Sequence, residues 1–333
     1  MKAMNTSDQM TNAASSGTAG SAAVNAAGGA IPAEKFRIIG VDEQAGEALA
    51  RKRVGYWADA WRRFRKNKIA LVAACILCVL ICFILFGPAL SGYDYEAMDQ
   101  AAINQLPSAA HWFGTDKLGR DLFARVWQAG RISITIGLVA AIVSSVIGSI
   151  YGGIAAYFGG AVDDVMMRIV EILLSIPYLL IVILISVFTD SKSLGTMLVA
   201  LTLTGWCGIA RIVRGQMLQL KQQEFVLAAN ALGVSPIKII IKHMIPNTLG
   251  LIIVAITFDI PGYIFSEAFL SYVGLGIQSP QTSWGALASA AQENFMFYPY
   301  QLFFPALMIA LTMLSFTLMG DGLRDALDPK QRK

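Results

Sequence analysis

Long apolar runs alternate with short polar breaks along most of this chain. Runs close to the roughly 20 residues needed to cross a bilayer occupy residues 69–88, 132–157, 169–188, 196–212, 248–270 and 301–319. They predict six transmembrane helices in a membrane domain spanning residues 69–320. The second run is dense in Gly and Ser, with Gly148 and Gly152 in a G-x-x-x-G spacing that suits close helix packing. The third is broken by Pro177. Ahead of the first, Trp57, Trp61 and Phe64 recur at helical spacing among Arg62, Arg63, Arg65 and Lys66. That pattern predicts an amphipathic interfacial helix within an entry segment, residues 36–68. Residues 1–35, mostly Ala, Ser, Gly, Asn and Thr, have no apolar block and predict a disordered tail. A second polar tail covers 321–333.

Composition agrees with a polytopic all-α membrane protein. Of 333 residues, 56% are hydrophobic and only 14% charged, against about 25% charged in soluble domains. The small net charge of +4 follows topology rather than nucleic-acid binding. Basic residues crowd the entry helix, the region after residue 210 and the C-terminal tail, which predicts a cytoplasmic side for all three and for both termini. Segments 90–131, 189–195 and 271–300 are then external, and the last has neither Lys nor Arg. Cys75, Cys78, Cys82 and Cys207 lie inside apolar runs and read as small packing residues. His111 and His243 stand apart with no cluster of metal ligands, so no metal site is expected.

The most informative polar stretch is residues 221–247. Glu224 to Leu232 is rich in good helix formers, Gly233 offers a left-handed helix end, Ser235 an N-cap and Pro236 a first helical residue. Two short helices at a glycine elbow are predicted, the second running from Pro236 to about Met244, with Pro246 limiting its continuation. Ala228 and Ala229 form a small face that admits another backbone. The spacing A-A-x3-G resembles the EAA loop of ABC importer permeases, whose elbow inserts into a groove on the ATPase subunit. Two departures from that loop, Leu227 directly before the alanines (with Glu224 three positions earlier) and His243 in the closing motif, resemble the peptide-permease branch.

The basic aromatic entry helix and three other stretches carry the same resemblance. H-W-F-G-T-D-K-L-G-R-D, with Gly114, Asp116, Gly119, Arg120 and Asp121, is similar to the signature of dipeptide, oligopeptide and nickel permeases. So are V-G-L-G-I-Q-S-P-Q-T-S-W-G (273–285) and G-D-G-L-R-D-A-L-D-P (320–329). The resemblance covers the chain from about Trp61 onward and implies the C-type subunit of an oligopeptide importer with the type I importer permease fold. It implies a sister B-type permease, two ATPase subunits that carry ATP and Mg2+, and an external solute-binding protein. It assigns coupling to Glu224, Ala228, Ala229, Gly233, Ser235 and Pro236, and structure or binding-protein docking to the Gly114–Asp121 motif. Dipeptides, nickel or another small solute are the alternative cargoes.

No catalytic constellation accompanies these motifs. The sequence has no P-loop, no G-x-S-x-G and no H-E-x-x-H, and Gly274–Gly276 lacks the third glycine of a dinucleotide site. The chain reads as a non-catalytic subunit that binds no cofactor itself. Three acidic residues lie in or beside spans. Glu171 is placed to pair with Arg168, Glu267 near the external end is expected to be solvated, and Asp259, mid-span, is the pathway candidate. An ion-coupled secondary transporter, the rival class, would depend on such a group.

Overall fold

The computed structural model describes residues 55–189, 193–277 and 281–328. The N-terminal tail, most of the entry segment and residues 329–333 lie outside the described residues. The described residues are mainly helical, and five of their helices are long and apolar enough to cross a membrane, or six if one bent pair counts as a span. These are α2 (Lys68–Ser91), α3 (Leu122–Phe158), α6 (Leu194–Leu220), the run Pro236–Tyr272 whose main part is α9 (Ile245–Tyr272), and α11 (Tyr300–Leu327). The bent pair is α4 (Gly160–Ser175) and α5 (Tyr178–Thr189).

Helix α1 (Tyr56–Phe64) precedes α2 and has two unlike sides. Ala60 and Phe64 are buried, Phe64 against Ala70 and Ala326, whereas Trp57 and Trp61 are exposed. The Tyr56 hydroxyl donates to the Leu327 carbonyl at 3.2 Å, so α1 lies at the end of the bundle where α11 finishes. Asn67 caps α2 by accepting from the Ala70 N–H.

Several helices run past the expected span limits. The second long helix starts at Leu122 and not near Ile132, because Asp121 caps it there, its Oδ1 accepting from the Ala124 N–H at 2.8 Å. The arginines in its first turns do not end it, since each finds carbonyl partners: Arg125 at Tyr95, Arg131 at Ile84 and Leu85. The 169–188 run bends at the expected Pro177 break, where α4 and α5 meet at 82°. Pro177 drives Ile176 into an extended conformation (φ −79°, ψ 126°), which no helix continues. The last helix reaches Leu327, beyond residue 319, with Gly322 close enough to α2 that an added Cβ would meet the Ala70 methyl. Helix α6 likewise runs on to Leu220.

The most extensive helix pairing in the bundle is between α3 and α6. A Cβ on Gly148 would lie 2.7 Å from the Trp206 carbonyl oxygen, and one on Gly152 2.3 Å from that of Ala210. The absent side chains are what let these backbones meet, as the G-x-x-x-G spacing anticipates.

Candidate functional site

The elbow is built from α7 (Glu224–Ala231), Gly233 and α8 (Pro236–Ile239). Gly233 has φ +73°, the left-handed conformation the turn requires. Ser235 occupies the N-cap position of α8, where its carbonyl accepts from the Ile239 N–H, but its hydroxyl makes no capping bond. Pro236 is the first residue of α8. Beyond it the chain does not break at Pro246. A wide π-type turn, Ile240–Met244, carries the helix straight into α9, and that turn absorbs the hydrogen bond a proline cannot donate.

The inner side of the elbow is welded to the bundle. Val226, Ala229, Ile239, Ile240 and Met244 are buried in one cluster with Val213 and Met217 of α6. The expected two-alanine face is thereby split: Ala229 faces inward and only Ala228 outward. The outer side carries Glu224, Ala228, Gly233, Ser235 and Pro236, all exposed. Among them stand large apolar residues that the sequence reading passed over: Leu232 is 83% exposed, Ile237 66% and Leu227 56%. Their signal was available, since leucine and isoleucine in a polar inter-span loop have no reason to face water alone. An added Cβ at Gly233 would meet nothing within 4 Å, so any substitution there is opposed by backbone conformation and not by collision.

The Gly114–Asp121 motif lies at the opposite end of the bundle and is saturated by internal bonds. Asp116 Oδ1 accepts from the N–H groups of Leu118 and Arg120, while its Oδ2 pairs with the Arg120 guanidinium at 2.7 Å. Gly119 (φ +76°) lies so close to the Asp99 carbonyl that no side chain fits, and Gly114 (φ +75°) packs on the Gln105 carbonyl. Asp121 caps α3 with one oxygen and holds His111 Nδ1 at 2.9 Å with the other.

The three acidic residues have separate fates. Glu171 pairs with Arg168 at 2.8 Å. Glu267 is not solvated but fully buried, and accepts from Ser133 of α3, Ser271 of α9 and Ser283, which caps α10 (Trp284–Gln292). Asp259 is half-buried midway along α9, with no hydrogen-bond or ion-pair partner among the described residues.

A family model described as binding-protein-dependent transport system inner membrane component matches residues 133–333, and one for the N-terminal transmembrane domain of oligopeptide transport permease C matches residues 55–107. The chain is 47% identical over 303 residues to the oligopeptide transport system permease protein OppC of Bacillus subtilis (strain 168), covering 91% of this chain and 99% of that one. It is also 47% identical to the dipeptide transport system permease protein DppC of the same organism (91% and 95% covered), and 43% identical to OppC of Escherichia coli (strain K12) (83% and 92% covered). Among solved structures, the MetNI methionine ABC transporter in an inward-facing form matches with a TM-score of 0.50 at 21% identity, over 62% of this chain and 96% of that one.

Proposed function

The chain belongs to the family of inner-membrane components of binding-protein-dependent transport systems, and on that premise we propose that it forms half of the membrane pathway of an ATP-driven peptide importer. Its cargo is oligopeptide, as in the relatives named OppC; dipeptide is the second reading, which the equally similar DppC relative favours. A sister permease completes the pathway, two ATPase subunits that bind ATP and Mg2+ drive it, and a solute-binding protein delivers the peptide on the far side. The membrane domain covers 69–320, and both termini and the 221–247 elbow face the cytoplasm.

One observation carries this reading: an elbow rigidly packed on its inner side presents exposed apolar side chains, Leu232 and Ile237 foremost, around a positive-φ glycine. Such a surface suits a groove on a partner subunit. Glu224, Ala228, Gly233, Ser235 and Pro236 make the contact and Ala229 anchors it. Because Val226, Ala229 and Met244 share one packed cluster with α6, a displacement of the elbow is passed to the spans as a rigid-body motion. ATP binding then biases the inward- and outward-facing states by differential contact at the elbow. Asp116, Arg120 and Asp121, with Gly114 and Gly119, shape the external surface. The test is Gly233→Val in the reconstituted complex. Membrane insertion is expected to be normal, with uptake lost and ATPase activity no longer raised by binding protein. Undiminished uptake overturns the coupling role, and a chain that purifies without ATPases and moves peptide on a proton gradient overturns the importer reading.

A further inference from the structure

Two faces of the spanning helices carry a charge where a lipid-facing helix would carry leucine. On α9 the residues at i, i+4, i+7 and i+11 are Ala255, Asp259, Gly262 and Ser266. On α6 the same spacing gives Thr204, Gly208, Arg211 and Gly215. All eight are exposed or half-exposed, and an added Cβ at Gly208, Gly215 or Gly262 would meet open space. Elsewhere α6 and α9 show the bilayer side chains suited to it, such as Ile212 and Phe265.

Neither charge is neutralised among the described residues. Asp259 and Arg211 have no hydrogen-bond or ion-pair partner among the described residues, whereas Arg214, one turn from Arg211, is gripped by both oxygens of Asp163. A bare charge in hydrocarbon costs several kcal/mol, so the face of the mid-span Asp259 meets water or another polar group, and Arg211 stands at the end of the expected 196–212 span. The two helices meet. Tyr263 of α9 donates to Ser144, and its hydroxyl occupies the space over Gly205 of α6. Asp259 lies one turn from Tyr263 on α9, and Arg211 less than two turns from Gly205 on α6.

Resting on the importer reading above, we infer that Asp259 and Arg211 are the pathway's contacts for the two ends of a linear peptide: the carboxylate for its α-ammonium, the guanidinium for its α-carboxylate. Each charge has a glycine one turn away, Gly262 and Gly208, where the absent side chain lets a peptide backbone approach the helix. The opposite charges match a zwitterion of any sequence, so the contact does not read side chains.

The experiment reconstitutes the full complex with its binding protein in proteoliposomes and follows uptake of one short peptide in free, N-acetylated and C-amidated forms. The ratio of variant to wild-type uptake, taken peptide by peptide, cancels any selectivity of the binding protein. Asp259→Asn is expected to slow the free and C-amidated peptides about tenfold, the worth of one charge-assisted contact, and to spare the N-acetylated one. Arg211→Gln is expected to slow the free and N-acetylated peptides and spare the C-amidated one. Asp259→Glu and Arg211→Lys are expected to recover much of the rate. Equal losses on all three peptides, or none, overturn the inference. Should the neutral variants fail to assemble, Gly262→Cys decides: free peptide is expected to slow its labelling by a water-soluble maleimide, and an unchanged labelling rate overturns the inference. A wild-type complex that moves none of the three peptides overturns the importer reading itself.

Discussion

The elbow and the Gly114–Asp121 segment both turn at positive-φ glycines, yet the structure treats their polar groups in opposite ways. In the far segment the polar groups are consumed internally: Asp116 bonds two backbone N–H groups and Arg120, and Asp121 caps α3 while holding His111. At the elbow the side chains of Glu224 and Ser235 make no such bonds among the described residues, and the apolar residues around them face outward. A polar motif whose bonds are closed upon itself shapes its own chain. One left open beside exposed leucine and isoleucine is suited to a partner. The difference is invisible in residue types and follows from where each donor and acceptor finds its match.

Substitutions at the two ends should therefore separate stability from function. The largest loss of stability is expected at Glu267, toward the same end of the bundle as the far segment. Glu267→Leu strips the acceptor from three buried serine hydroxyls on α3, α9 and the α10 cap. It should cost about 3 kcal/mol and lower the thermal unfolding midpoint of the purified complex, with α10 the first element to lose protection in hydrogen exchange. Asp121→Ala comes next. It removes a helix cap worth about 1 kcal/mol and frees His111, so a smaller drop in midpoint is expected, and Asp121→Asn should restore most of it by keeping the cap. Smallest in stability is Leu232→Ser at the elbow, where exposure of 83% predicts a change within about 0.5 kcal/mol. Its effect should instead appear as reduced co-purification of ATPase subunits. Should Leu232→Ser destabilise the chain as much as Asp121→Ala does, the contrast between the two ends fails.

Much of the bundle was legible because its determinants are local. Apolar run length marks the spanning helices, and Gly233 with Pro236 marks the elbow, since a left-handed turn followed by a helix start needs only neighbouring residues. Gly148 and Gly152 announced a close approach, although their partner helix was not readable from them. Tertiary structure alone decided the rest. Glu267 read as solvated because its serine partners lie far off in sequence, Ser133 on another helix and Ser283 across a loop. That the first turns of α3 can hold arginines depends on acceptor carbonyls far off in sequence, at Tyr95 and on α2. Ala229 turned inward while Ala228 did not because the buried face of α7 is set by α6, not by α7 itself. The sequence by itself determined where the chain is apolar enough to span and where it must turn, because both are properties of a few consecutive residues. Which polar groups are satisfied and which stay open, and so which of them a partner or a peptide can meet, was decided only when distant helices came within hydrogen-bonding reach.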